Sequence, residues 1–461
     1  MSLIASVSGI RGTIGGRPKD NLTPKDIMDF TLAYGYLLKS KFDKPCIALG
    51  RDARLSGAMV SSIVEGTLSS IGIDILNLGL TTTPTIEMAV ISNKLNGGVM
   101  ITASHNPEEW NALKLFNEKG EFISAEEGQK IKELIQKEII SQQFVGVRDL
   151  GKLQVDRSSA QEHIDAILSL PYLPIEQIKA SKMRIVVDCI NSTGAIILPV
   201  LLEALNCEYH LINSEPTGIF AHNPEPLEIH LTDLMKACEE FKADLGIAVD
   251  PDVDRLAFVD EKGNYFGEEY TLVACADYLL DVKLGPVVTN LSSSRALADL
   301  AQSKGQQCHF SAVGEVHVVR KMKETHAVIG GEGNGGVILP DLHYGRDALI
   351  GIVLVMANLV KKKLSLSALK ESYSKYFMNK DKIILPEKVD YESLISFLMN
   401  KYRDQKLNIE DGLKIDFESS WVHLRKSNTE PIIRIYAEAK DINSAQKLVD
   451  QIKQDVNSFL T

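Results

Sequence analysis

Four segments of this chain gather residue types that do chemistry with phosphate, metal ions and sugar hydroxyls. Thr102–Pro107 reads T-A-S-H-N-P and follows directly on the apolar run Gly97–Ile101. A serine placed where a buried strand ends can be a nucleophile or a phosphate carrier once something activates Ser104. His105 is adjacent and Lys114 lies a few residues on. The same residue types favour ordinary turns, so the hexapeptide alone does not decide.

Asp250–Arg255 reads D-P-D-V-D-R after the strand-like L-G-I-A-V. Alternation in an extended loop can turn Asp250, Asp252 and Asp254 to one side, converging on a hard cation such as Mg²⁺. Such an ion keeps positions open for phosphate oxygens or water. An EF-hand is excluded, because Arg255 stands where that loop needs glycine and the flanks are strand-like. Arg255 reads better as a cation aimed at a phosphate beside the metal.

Gly330–Gly336 reads G-G-E-G-N-G-G. Glycine permits close backbone approach, and Glu332 and Asn334 offer groups that pair with sugar hydroxyls. The Walker lysine is absent, so this is no P-loop. Arg425–Arg434 reads R-K-S-N-T-E-P-I-I-R, two arginines bracketing Ser427, Asn428 and Thr429. Arginine forks with hydroxyl and amide donors suit a phosphate that is gripped rather than transferred. Two shorter segments add charge: Arg11 between glycines in Ser8–Gly12, and G-R-D-A-R-L-S-G at Gly50–Gly57. For the latter, an internal salt bridge explains the charges as readily as a ligand.

Elements that could position these loops follow from periodicity. Strand-like runs alternate with helix-length segments through the first third, the pattern restarts near Ser181, and it restarts again near Gly285. That alternation predicts largely parallel sheets with helices on their faces. The last stretch differs: K-I-D-F-E-S-S-W-V-H-L-R-K-S and P-I-I-R-I-Y-A-E-A alternate as half-buried antiparallel strands do, and a helix over 442–459 follows. The fold class expected is therefore α/β: three similar mixed α/β domains plus a smaller C-terminal α+β domain. The divisions expected are 1–150, 151–255, 256–370 and 371–461.

Composition excludes several classes. A net charge of −11 argues against nucleic acid and anionic membranes, and it requires that any phosphate site be locally basic. No apolar run is long enough to span a bilayer, and the N-terminus lacks a basic, then apolar, leader. The six cysteines form no C-x-x-C pair and read as reduced core thiols. The expectation is a cytoplasmic protein without nucleic acid or membrane partners, either a monomer or a homodimer.

Taken together and in order, S-G-I-R-G, G-R-D-A-R-L-S-G, T-A-S-H-N-P, V-V-D-C-I-N-S-T-G-A-I-I-L-P, G-I-F-A-H-N-P-E-P, D-P-D-V-D-R, G-E-G-N-G-G and R-K-S-N-T-E-P-I-I-R resemble the α-D-phosphohexomutase family. The resemblance runs nearly end to end. It implies four domains around a central cleft, each supplying one loop. By position, Ser104 resembles the serine that carries phosphate. Asp250, Asp252 and Asp254, with the phosphoserine oxygen at Ser104, resemble Mg²⁺ ligands. Arg11, Lys114 and Arg255 resemble the basic groups around the moving phosphoryl. Glu332 and Asn334 fall in the sugar-recognition loop, and Arg425, Ser427, Asn428, Thr429 and Arg434 in the loop that grips the distal phosphate.

The activity implied is reversible phosphoryl transfer between O6 and O1 of a hexose phosphate, with a hexose 1,6-bisphosphate as intermediate and activator. His105, Lys114, Glu315 and His343 are the candidates for acid–base work. Many bacterial relatives end the third loop in serine-glycine-histidine, whereas this chain has Asn334, Gly335 and Gly336. That form resembles archaeal phosphoglucosamine mutases, while S-N-T-E-P is similar to many phosphomannomutases. The reading favours glucosamine phosphate, with glucose and mannose phosphates as the alternative. A metal-dependent phosphatase fits less well, since it needs no second phosphate grip. A non-catalytic sensor would have no use for Ser104 and three aspartates together.

Overall fold

Three parts of the chain repeat one strand plan, and each repeat places a loop at the same point. The structure is a computed structural model that describes residues 2–6, 9–136, 144–386, 390–426 and 432–460. The first sheet contains β1 (Ile4–Ser6), β2 (Gly9–Thr13), β3 (Cys46–Arg51), β4 (Asp74–Leu80), β5 (Gly97–Ile101), β6 (Trp110–Phe116) and β7 (Leu153–Val155), in the order β1-β2-β6-β5-β3-β4-β7. The second contains β8 (Arg184–Asp188), β9 (Glu208–Ile212), β10 (Leu245–Val249) and β11 (Leu256–Asp260), ordered β11-β10-β8-β9. The third contains β12 (Val287–Asn290), β13 (Cys308–Ser311), β14 (Ile329–Glu332) and β15 (Gly336–Ile338), ordered β13-β12-β14-β15.

In each sheet two strands pair in parallel, β3 with β4, β8 with β9 and β12 with β13, a further parallel strand joins them, and an antiparallel hairpin closes the plan. The hairpins are β5–β6, β10–β11 and β14–β15. Their connections are T-A-S-H-N-P, D-P-D-V-D-R and the tip of G-G-E-G-N-G-G. Three segments of unlike sequence are thus one structural loop used three times. The incoming strands β5, β10 and β14 are buried at every residue, as strands covered on both faces must be.

The fourth sheet is antiparallel throughout: β16 (Phe377–Ile384), β17 (Lys406–Asn408), β18 (Leu413–Asp416), β19 (Trp421–Lys426) and β20 (Ile432–Ala439), ordered β16-β20-β19-β18-β17. The helices Tyr391–Lys401 and Ile442–Leu460 pack apolar stripes on it, including Leu394, Leu398, Val449 and Ile452. The first and fourth units have cores of their own, while the second and third share one apolar core running from Ile164 to Tyr373.

One expectation needs correcting. A division at 255 cuts the hairpin β10–β11, whose register pairs Val249 with Leu256 through Leu245 with Asp260. The second sheet therefore extends to Asp260. The shared core explains why no break in polarity marks the change of unit.

Candidate active site

Ser104 sits at the start of the first hairpin loop with φ +50, a left-handed conformation uncommon for a residue with a Cβ. The loop is held there from below. Thr102 Oγ1 accepts from the Ser104 N–H at 2.9 Å and donates to Asp52 Oδ2 at 2.6 Å. Arg54, fully buried, pairs its Nε with Asp52 at 3.1 Å. Its two terminal nitrogens donate to the carbonyls of Ser104, Asn106, Pro107 and Trp110 at 2.5–2.9 Å. All five N–H donors of that guanidinium therefore have acceptors. The charges of Gly50–Gly57 form an internal salt bridge, and that bridge is what shapes the serine loop.

The second hairpin loop faces Ser104. Ser104 Oγ donates to Asp250 Oδ2 at 2.5 Å. Asp250 Oδ1 accepts from the N–H groups of Asp254 and Arg255, each at 3.1 Å, and Val253 takes φ +61 to make the turn. Ser192 and Thr193, from the I-N-S-T-G segment, donate to the Pro251 carbonyl at 2.7 and 2.8 Å. Asp250, Asp252 and Asp254 are all buried and bring carboxylate oxygens within 4.8 Å of one another. Lys114 Nζ reaches Asp252 and Asp254 at 2.6 and 2.7 Å, and Thr83 donates to Asp252. Asp252 Oδ1 and Asp254 Oδ1 remain buried without a hydrogen-bond partner. Hard oxygen donors left over in a buried carboxylate cluster fit a divalent cation.

Electrostatics follows from this packing. Burial, then the charges of Asp252 and Asp254, push the Asp250 carboxyl well above its ordinary range. Burial alone would lower the Lys114 ammonium, but Asp252 and Asp254 outweigh it and hold it above its usual value. Burial likewise opposes ionisation of Asp254, yet Arg346 and Lys114 keep it below the carboxylate range. Burial, then Arg255, push the His105 imidazole well below its usual value, so it is neutral near pH 7. His105 Nδ1 lies 3.3 Å from Ser104 Oγ. Burial, Arg434 and Arg255 depress the Arg11 guanidinium, the mark of cations crowded together. Arg11 Nε and Arg255 Nε are both buried without an acceptor. A cleft with spare buried donors on positive groups suits an anion.

Arg11, Ser104, His105, Lys114 and Arg255 line one cleft of about 600 Å³, and the three aspartates lie buried behind Ser104 and Lys114. Glu315, Glu332 and Asn334 line the cleft as well, and Arg425 and Arg434 contribute from the fourth unit. Glu332 accepts from Asn290 and the Gly314 N–H, both at 2.9 Å. Arg425 and Arg434 are cross-strand partners on β19 and β20. Like charges directly opposite are unfavourable unless balanced. Asp411, 2.7 Å from Arg425 Nε, balances one of them. Ser427, Asn428 and Thr429 lie outside the described residues. His343 is buried at the rim of a different depression, and it pairs with Glu87 and Asp347 rather than reaching the cleft.

Comparison with known proteins agrees with this arrangement. Phosphoglucomutase/phosphomannomutase alpha/beta/alpha domains I, II and III match residues 3–141, 161–263 and 267–376, and the C-terminal domain of the same family matches 379–454. The chain belongs to the phosphoglucomutase/phosphomannomutase family. A phosphoglucomutase/phosphomannomutase of Thermococcus kodakarensis is 34% identical over 95% of this chain and 96% of its own. A phosphoglucosamine/phosphogalactosamine mutase of Sulfurisphaera tokodaii is 32% identical over 99% of both chains. The crystal structure of a Burkholderia thailandensis phosphoglucomutase/phosphomannomutase family protein has the same fold, with a TM-score of 0.82 at 23% identity over 99% of this chain and 98% of that one. Membership makes this chain a phosphohexomutase, an isomerase-type phosphotransferase. Among the described residues no helix is long and apolar enough to cross a membrane.

Several cleft residues of this family member were not singled out by its motifs. Arg346 contacts Asp254, Glu315 and Glu332 together. Lys380 and Glu269 line the cleft, and burial pushes the Glu269 carboxyl up to about 8. Glu269 is the second residue of the helix that starts right after Gly267, a position where a carboxylate reads as ordinary first-turn charge. Lys380 sits in an alternating strand and carries no local mark. Arg346 had a usable signal: G-R-D ahead of a long apolar helix, where Asp347 is the N-cap and the arginine beside it needs another reason.

Proposed function

We propose that this chain interconverts glucosamine 6-phosphate and glucosamine 1-phosphate, with Ser104 as the phosphate carrier. The observation that carries the reading is the presence of two phosphate-suited groups of residues in one cleft. Ser104 Oγ meets the buried aspartate loop, and Arg425 and Arg434 of the fourth unit line the same cleft. A hydrolase would need only the first.

Phospho-Ser104 gives its phosphoryl to the free hydroxyl of the bound monophosphate: the Oγ–P bond breaks, the sugar O–P bond forms, and the hydroxyl proton passes to a base. The resulting 1,6-bisphosphate turns over in the cleft and returns its other phosphoryl to Ser104. Neutral His105, 3.3 Å from Ser104 Oγ, is suited to take the proton. Lys114 is held charged, so it acts as a cation, not a base. Arg11, Lys114 and Arg255 neutralise charge on the moving phosphoryl, which is the main demand of this chemistry. Mg²⁺ fits Asp250, Asp252 and Asp254, and when bound it supplies further charge neutralisation at the phosphoryl oxygens. Glu332, Asn334 and Glu315 face the sugar, while Arg425 and Arg434, with Ser427, Asn428 and Thr429, take the phosphate that is not moving.

The amino sugar is favoured by the third loop, G-G-E-G-N-G-G, and by the name of the Sulfurisphaera relative. The Thermococcus relative supports the alternative, a mutase of glucose and mannose phosphates. Turnover of glucosamine 6-phosphate, glucose 1-phosphate and mannose 1-phosphate, measured in parallel with Mg²⁺ and a trace of hexose 1,6-bisphosphate, decides. A kcat/KM clearly highest for glucosamine phosphate is expected. Equal rates on the other two would establish the alternative, and release of inorganic phosphate without isomerisation would overturn both.

A further inference from the structure

Arg346 touches both hairpin loops that accompany the serine loop, through Asp254 and Glu332, and also Glu315 at the start of the helix Glu315–Thr325. Its Nη2 lies 2.8 Å from Asp254 Oδ2, its Nε 3.0 Å from Glu315 Oε2 and its Nη1 3.2 Å from Glu332 Oε2. Its backbone N–H donates to Glu315 Oε1 at 3.2 Å. The side chain is nearly buried yet lines the cleft. Burial opposes its charge, but Asp254, Glu315 and Glu332 hold the guanidinium well above its ordinary value.

Two further features are built around it. A Cβ on Gly336 would stand 2.3 Å from Arg346 Cδ, so glycine at 336 is the room the arginine stem passes through. The next residue, Asp347, is held by residues of two units and, through His343, by a third. Its Oδ1 accepts from the Leu349 N–H at 2.8 Å, and His163 Nε2 and His343 Nε2 lie 3.0 and 3.3 Å from its Oδ2. His343 Nδ1 in turn lies 2.9 Å from Glu87 Oε2 of the first unit. The backbone that carries Arg346 is therefore fixed, and the freedom left to its planar fork is small.

We propose that Arg346 is a positioning residue that couples the sugar-facing carboxylate Glu332 to the metal-loop carboxylate Asp254. This rests on the mutase reading above. One rigid fork holds both carboxylates, so displacement of Glu332 by a misfitting sugar is felt at Asp254. The same positive charge also offsets the three aspartates and limits how strongly they draw a cation. Lysine cannot substitute, because a single ammonium on a flexible stem does not meet three carboxylates in one plane.

The test compares R346K, R346Q and G336A with the wild type. Mg²⁺ binding to the dephosphorylated protein is measured by titration calorimetry, and kcat and KM for glucosamine 6-phosphate are measured at saturating Mg²⁺. Loss of the geometry in R346K should lower kcat/KM by about 100-fold, the scale of an ångström-level misplacement. R346Q should lose at least as much turnover while binding Mg²⁺ more tightly, by about fivefold, because a cation has been removed beside Asp254. G336A should follow R346K, since the added methyl displaces the arginine stem without removing the residue.

Tighter metal with poorer turnover is a split that damage to the fold does not produce. R346K and G336A turning over like the wild type would overturn the proposal, and so would an R346Q that binds Mg²⁺ more weakly. If R346Q does not fold, R346K and G336A decide alone. A wild type inactive on every hexose phosphate would overturn the mutase reading instead, and the Mg²⁺ titration would still report on Arg346.

Discussion

Two buried clusters among the described residues each bring ligand atoms of three metal-ligating side chains within 4.8 Å of one another: Asp250, Asp252 and Asp254 behind the cleft wall, and His163, His343 and Asp347 at the junction of the first three units. Proximity makes them look alike, but their remaining atoms separate them. In the aspartate cluster, Asp252 Oδ1 and Asp254 Oδ1 are buried and unpaired. In the histidine cluster, Asp347 Oδ1 caps a helix, its Oδ2 meets both imidazoles, His163 Nδ1 meets Thr85 Oγ1 at 3.1 Å, and His343 Nδ1, which makes no aligned hydrogen bond, is still ion-paired with Glu87 Oε2 at 2.9 Å. Three carboxylates cannot neutralise one another, whereas histidines and carboxylates can. Unused coordination, rather than closeness of ligating residue types, marks the cluster that can do chemistry.

That contrast can be broken experimentally. The largest effect should come from Asp252→Ala. Turnover should fall by roughly 10³-fold, as when charge stabilisation is removed from a transition state, and calorimetry should detect no Mg²⁺ binding at the cleft. Retained metal binding with normal turnover would remove the aspartates from the account.

His343→Ala should act on stability instead. It removes the imidazole that bridges Glu87 and Asp347, and breaking a buried ion pair in this way costs about 3–5 kcal/mol. Urea denaturation should show that loss, while Mg²⁺ affinity stays at the wild-type value. A loss of metal binding in this variant would make the second cluster a metal site as well.

The smallest effect is one of pH. Burial lowers the His343 imidazole, but Asp347 and Glu87 outweigh it and raise it from 6.5 to about 10. A group raised in the folded state contributes stability that is complete below its unfolded value and disappears as pH rises through the folded one. The melting temperature should therefore fall between pH 7 and pH 10, and the fall should be shallower in His343→Gln.

The difference between the two clusters also explains what could be read from sequence. Ser104, Asp250, Asp252 and Asp254 were legible because each motif is contiguous and directly follows an apolar strand. The three-unit plan was legible as a restarting alternation, although the equivalence of the three hairpin loops was not, since only strand order reveals it. The histidine cluster draws on residues 87, 163, 343 and 347, so no local spacing announces it. Arg54 and Arg346 were missed as organisers for the same reason. Their partners are backbone carbonyls or carboxylates far along the chain, so even the G-R-D signal at Arg346 marks the residue without showing what it meets. The boundary near 255 was misplaced because the second and third units share a core, and packing rather than composition fixes where one sheet ends.

The central claim is that Ser104 carries the phosphoryl group, and one labelling experiment tests it directly. The protein, with Mg²⁺, is exposed to a hexose 1,6-bisphosphate labelled with ³²P, the modified residue is mapped, and unlabelled glucosamine 6-phosphate is then added as a chase. The account predicts label on Ser104, none on Ser104→Ala, and transfer of that label into sugar phosphate on the chase. Label at another residue, or a wild type that takes up none while still isomerising its substrate, would contradict it.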